Sequence, residues 1–171
     1  LDLQNGQLPE VDAFRVTDET GRLRWGKGVT PKTTESYADR PFFSTHQAAP
    51  GAAMVVGEPV LGKVSNIWVI PFTRSYRKPD GSLAGVINAT VALSYFYGQL
   101  STLKLGANGS VVVRHDNLGL ATRYPALDGP GGQVGDKTVS SEFLAIMASG
   151  VKAGHFHTTK TPDRIERTYA F

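Results

Sequence analysis

The stretch Asn66–Leu93, NIWVIPFTRSYRKPDGSLAGVINATVAL, decides the fold class. Asn66 to Tyr76 alternates in character and is rich in β-branched and aromatic residues, so it reads as a long strand. Lys78-Pro79-Asp80-Gly81 has turn chemistry, because proline presets φ and glycine accepts φ > 0. Ser82 to Leu93 is the returning strand, with Ile87, Ala89, Val91 and Leu93 on one face and Asn88 and Thr90 on the other. The pair predicts an antiparallel sheet.

Upstream, Phe14-Arg15-Val16-Thr17 and Arg22-Leu23-Arg24-Trp25 flank Asp18-Glu19-Thr20-Gly21 and form a second predicted hairpin. Residues 39–48 lack alternation, start at the N-cap candidate Asp39 and carry Pro41 in the first turn, which predicts a short helix. Val55 to Val60 reads as a strand, followed by a turn at Gly62-Lys63. Tyr95 to Leu103 reads as a helix leading out of the unit.

The pattern then recurs. Asp18-Glu19-Thr20-Gly21 is echoed by Asp116-Asn117-Leu118-Gly119, between Val111-Val112-Val113 and Leu120-Ala121-Thr122. Phe43 is echoed by Phe143 in the helix-like Ser141–Met147, Val56-Gly57-Glu58 by Ala153-Gly154-His155, and Phe72 by Phe171. Four landmarks near one offset imply two tandem copies of one α+β fold rather than a solenoid, whose period is shorter. The second copy ends where the first still has a turn and a strand to come, so its sheet is expected to be incomplete.

Composition bounds the chemistry. The 171 residues carry 18 basic and 15 acidic side chains and no cysteine. That charge is too mild and scattered for a nucleic-acid footprint. Without cysteine there is no disulfide framework, thiolate metal site or cysteine nucleophile. The longest apolar run, Ile67-Trp68-Val69-Ile70-Pro71-Phe72, falls far short of the ~20 residues of a membrane helix, and no signal stretch opens the chain. A soluble piece is expected.

Gly21-Arg22-Leu23-Arg24-Trp25-Gly26-Lys27-Gly28 imitates a phosphate loop but lacks the Ser/Thr and the following helix, so it is set aside. His155 and His157 share a strand face with no third ligand at metal spacing, and read as a solvated face. No nucleophile elbow or catalytic carboxylate pair appears; no enzyme, metal or cofactor is expected. Asn88-Ala89-Thr90 matches a glycosylation sequon but lies inside a predicted strand. One constellation survives: Arg40 beside Phe42 and Phe43 at the helix start, with Trp68, Ile70, Phe72, Arg74 and Tyr76 alternating on the long strand. A guanidinium gripping a carboxylate between aromatic walls is how small-ligand pockets are built. The candidate ligand-binding set is Arg40, Phe43, His46, Trp68, Phe72, Arg74 and Tyr76. Against it stands the plainer reading, Arg40 paired with Asp39 over an aromatic core.

The ordered series Asp18-x-x-Gly21, Asp39-Arg40-Pro41-Phe42-Phe43, Val56-Gly57-Glu58-Pro59, Trp68-Val69-Ile70-Pro71 through Arg74, Pro79 to Val86 and Leu105 to Ser110 resembles the double Cache (tandem PAS-like, PDC) extracytoplasmic sensor domains of bacterial signalling receptors, over about residues 10–171. The resemblance implies two PAS-like units, each an antiparallel sheet flanked by helices. Residues 1–103 would be the membrane-distal, ligand-binding unit and 104–171 a truncated membrane-proximal one. It implies a periplasmic domain of an inner-membrane protein, anchored only through segments absent here. Such a domain binds a small metabolite and signals to an output module outside this chain: a histidine kinase, a diguanylate cyclase or a chemotaxis receptor. A homodimer through flanking helices is also implied, although the long N-terminal helix is reduced here to Leu1–Gln7 at most. Family members that bind amino acids carry Arg-x-Trp-Tyr; this chain has Arg40-Pro41-Phe42-Phe43, which favours a carboxylate or another small metabolite. The alternative function is a non-catalytic interaction or dimerisation module without a small-molecule ligand.

Overall fold

A computed structural model describes residues 8–49 and 53–171. Leu1–Gln7, expected as the remnant of an N-terminal helix, lie outside the described residues. The chain divides into two compact units, Leu1–Tyr95 and Phe96–Phe171.

In the first unit the deciding hairpin forms as β5 (Trp68–Arg77) and β6 (Leu83–Ala92), paired antiparallel from Val69↔Ala92 to Arg77↔Leu83. Its turn is closed by Asp80, whose Oδ1 accepts from the Ser82 amide and hydroxyl, while Gly81 takes φ +84. Close to the turn, opposite Tyr76, Gly85 is required by space: a Cβ there would lie 2.0 Å from the Thr17 carbonyl oxygen. β1 (Val11–Thr17) pairs with β6 and with β2 (Leu23–Gly26), so the unit's first hairpin docks beside the unit's last strand. The expected single strand 55–60 is two short ones, β3 (Val55–Val56) and β4 (Val60–Leu61), both on β5. Between them stands Gly57-Glu58-Pro59, and proline has no amide to give a ladder. The sheet order is β2-β1-β6-β5-β3, with β4 also on β5.

Helix α1 (Pro41–Ala48) starts two residues later than expected. Arg40 is its extended N-cap, with Pro41 preset in the first turn, and the carboxylate of Asp39 is held instead by Lys63 at 2.6 Å. The helix buries Phe42, Phe43 and His46 against the sheet, in one core with Leu23, Tyr37 and Val86. Helix α2 (Leu93–Ser101) begins as β6 ends and takes in Leu93, expected as the end of the strand. The division between the units falls within it.

The second unit has a hairpin, β7 (Val111–Arg114) with β8 (Leu120–Tyr124), then α3 (Ser141–Ser149), then a pair, β9 (His155–Thr158) with β10 (Arg167–Ala170). Ser140 caps α3 through the Phe143 amide, and Gly150 ends it at φ +74. Phe156 stacks on Tyr169 and meets Phe143 and Phe171. The two hairpin turns close by matching bonds. Asp18 N donates to Arg22 O and Gly21 N to Asp18 O; His115 N donates to Gly119 O and Leu118 N to His115 O. By these bonds Gly21 corresponds to Leu118, both at positive φ, whereas the sequence pattern set Gly21 against Gly119.

Candidate functional site: a buried polar row beneath the first helix

A strand shows alternate residues to opposite faces, and on β5 the odd-numbered ones face α1. His46 Nε2 meets Thr73 Oγ1 at 3.0 Å, Arg77 Nη2 donates to the His46 carbonyl at 3.2 Å, and Pro71 and Phe42 both border Gly57. Trp68, Phe72, Arg74 and Tyr76 therefore point to the other face. The structure divides the expected set: Phe43 and His46 face the sheet from α1, whereas the four strand residues lie on the sheet's other face and do not meet them. Tyr76 instead spends its hydroxyl on the Thr17 carbonyl, and Trp68 is 44% exposed. Arg40 sits at the rim, where its Nη2 donates to the Leu61 carbonyl at 2.8 Å.

The α1 face of the sheet carries what the sequence pattern undervalued. Ladder register sets Arg15 opposite Asn88, and Asn88 opposite Thr73, in one row across β1, β6 and β5. All three are at most 2% exposed, and His46 above them is fully buried. Thr17 and Thr90 flank the row and are satisfied locally: Thr17 Oγ1 accepts from Val86 N, and Thr90 Oγ1 donates to Ala13 O. Arg15 Nε donates to the Lys27 carbonyl at 3.1 Å, and its guanidinium lies beside Tyr37. Burial pushes the Tyr37 phenol up, and Arg15 pulls the other way. A bulge in β1 between Val11 and Ala13 re-aims Asp12, whose Oδ1 meets Lys27 while Oδ2 has no partner.

Two atoms of the row proper are buried without a hydrogen-bond partner, Asn88 Oδ1 and His46 Nδ1. Burial and the nearby Arg77 hold the His46 pKa below its ordinary value, against the bond to Thr73, so the ring is neutral at pH 7. The interior beneath α1 thus holds two polar atoms that no group of the protein pairs. Asn88 and Thr90 were visible on one strand face in the sequence, and Arg15 on the alternating Phe14–Thr17; their company became legible only with the register.

Among the described residues no group of three His, Asp or Glu side chains is placed to hold a metal ion, and no helix is long and apolar enough to cross a membrane. His155 and His157 are exposed, and His157 is tied to Glu166 and Thr168.

No protein-family model matches the sequence, and no curated protein matches it. Solved structures do. The extracellular domain of rpHK1S-Z16, a histidine kinase by assignment, superposes with a TM-score of 0.85 at 24% identity, covering 99% of this chain and 68% of that one. The chain shares the fold of extracellular sensor domains. An extracellular ligand-binding receptor from Desulfohalobium retbaense matches at a TM-score of 0.68 and 12% identity, over 92% of this chain and 28% of its own. The ligand-binding domain of the Pseudomonas fluorescens chemoreceptor CtaA, in complex with L-valine, matches at 0.55 and 16%, over 83% and 60%. This chain thus spans about two thirds of the first of these and less of the others.

Proposed function

We propose that the chain is an extracytoplasmic sensor domain whose first unit binds a small metabolite beneath α1, without catalysis. In this reading residues 1–103 and 104–171 are two PAS-like copies, the first holding the ligand. The observation that carries it is the buried row Arg15–Asn88–Thr73 with His46, two of whose acceptors have no partner within the protein. A buried polar atom left unpaired costs about 1–3 kcal/mol. A fold that keeps two within one row gains them back when a ligand donates to both. Phe43 walls the site, Arg40 stands at its rim, and Asn88, Thr73 and Arg15 join His46 as its polar lining.

Support comes also from the company the fold keeps, since CtaA is described with amino acids bound. A ligand gripped unequally in two states of the unit shifts their populations, and the receptor carries the difference across the membrane to a kinase, cyclase or chemotaxis module. A thermal-shift screen of the chain against a metabolite library tests this. A ligand at a hundred times its dissociation constant adds about 2.7 kcal/mol, a rise of roughly 5 °C or more. A library in which no compound shifts the melting temperature would remove the reading.

A further inference from the structure

The protonation states in the row narrow what can bind it. Thr73 Oγ1 gives its one proton to the Val55 carbonyl at 3.0 Å, so toward His46 it accepts and Nε2 carries the ring proton. The neutral imidazole then presents a bare lone pair at Nδ1, buried and unpartnered. Asn88, which faces Thr73 across the ladder, presents a second bare acceptor at Oδ1. Both need donors. The charged groups that the ladder and the helix tie to this pair are cations: Arg15, opposite Asn88 on β1, and Arg77, bonded to the His46 carbonyl. The one carboxylate of this neighbourhood among the described residues, Asp12 at the bulge of β1, engages Lys27 through Oδ1, leaves Oδ2 without a partner and acts with Arg15 on Tyr37, at the far side of Arg15 in the chain from the pair.

An ammonium group could donate to both acceptors, but the positive charges of Arg15, opposite Asn88, and of Arg77, bonded to the His46 carbonyl, repel it. Two hydroxyls can donate to both without that repulsion, and a carboxylate on the same molecule is attracted by Arg15. We propose, resting on the reading that this interior is the ligand site, that it takes a small polyhydroxy acid, with hydroxyls donating to His46 Nδ1 and Asn88 Oδ1 and the carboxylate facing Arg15. A single hydroxyl has one proton and satisfies one acceptor only, so two are required.

The test is calorimetric titration of the whole chain with matched series: propionate, lactate, glycerate and serine; succinate, malate, tartrate and aspartate. Each hydroxyl should tighten binding by about tenfold, so that glycerate or tartrate leads its series by about a hundredfold over the unhydroxylated acid. Asn88→Leu, of similar shape, should remove one of the two steps. Asn88→Asp keeps an acceptor and adds a negative charge, so it should weaken every acid, and it serves where Asn88→Leu does not fold. Equal binding of propionate and glycerate, tighter binding of serine or aspartate than of the hydroxy acids, or affinities indifferent to both Asn88 variants would each overturn the proposal while leaving the sensor reading in place. If none of the eight probes binds, the polyhydroxy-acid assignment falls. The sensor reading then falls with it only if the metabolite library also yields nothing.

Discussion

Arg15 in the first unit and Arg123 in the second are both withdrawn from solvent, yet their surroundings differ in kind. Arg123 donates to the Pro125 carbonyl and to Asp163, whose other oxygen takes Arg167, and Arg167 in turn donates to the Asn108 carbonyl. Nearby in sequence, Arg114 gathers the carbonyls of Leu118, Asp136 and Thr138 on one guanidinium. These arginines are closed on the backbone of their own unit. The row containing Arg15 ends instead in Asn88 Oδ1 and His46 Nδ1, which have no partner. Buried polar groups are nearly always satisfied, so the exceptions carry information. The second unit uses these buried arginines to hold loops; the first leaves two polar atoms of its row unpaired, the ones the proposed ligand would meet.

The largest effect should come from the closed side. Asp163→Ala would leave the Arg123 and Arg167 guanidiniums facing each other in the interior, at a cost of about 3–5 kcal/mol. Urea unfolding, with hydrogen exchange followed at β8 and β10, measures it. A loss near zero would mean that the pair is as dispensable as a surface salt bridge. The two arginines hold the Asp163 carboxyl well below the ordinary carboxylate range. Its contribution is therefore complete above about pH 4 and should disappear only as the pH falls further.

On the open side the sign reverses. Asn88→Leu removes an unpartnered acceptor and should stabilise the ligand-free chain, by about 1–3 kcal/mol, while weakening ligand binding. Stability bought at the cost of affinity marks a site kept for function. A destabilised Asn88→Leu chain with intact binding would assign Asn88 to the fold and erase the contrast between the units.

The third effect involves one proton. The unfolded chain takes a proton on His46 near pH 6.5, whereas the folded ring resists it to lower pH. The stabilisation is full above pH 6.5 and declines as the pH falls below it. Melting temperatures of the ligand-free chain from pH 8 to pH 5 should fall more steeply than those of His46→Gln. Parallel curves would show that His46 is not buried neutral.

How far the sequence reached follows from which signals are local. The 66–93 hairpin, the Asp18 turn and the short helix each rest on neighbouring residues, and each formed within two or three residues of its expected bounds. The site was harder because it depends on which face of β5 meets α1. Periodicity groups Trp68 with Phe72 and Arg74, and Val69 with Thr73, but does not say which group turns inward. The large aromatics suggested the wrong one. The inward group is marked by Thr73, Asn88 and Arg15, polar residues whose burial only the ladder register makes plain. The one-residue difference between the two turns, Gly21 against Leu118, escaped for a similar reason: glycine marks the left-handed position in the first turn and sits just beyond it in the second.

The smallest expected effect concerns Arg40, the residue that the sequence put first. Its guanidinium donates to the Leu61 carbonyl and so ties the start of α1 to β4. One hydrogen bond from a partly exposed charged group is worth about 1 kcal/mol or less, after screening by water. Arg40→Ala should therefore lower the ligand-free melting temperature by a few degrees at most and change ligand affinity by less than about threefold. Arg15→Met, which keeps length and removes the charge, should weaken the binding of an acid by tenfold or more in the same titration. The comparison is decided by which arginine the ligand feels. A tenfold loss of affinity in Arg40→Ala, with an unchanged ligand-free melting temperature and little change in Arg15→Met, would move the ligand's carboxylate from the sheet row to the rim. The helix start, rather than the buried ladder, would then be its anchor.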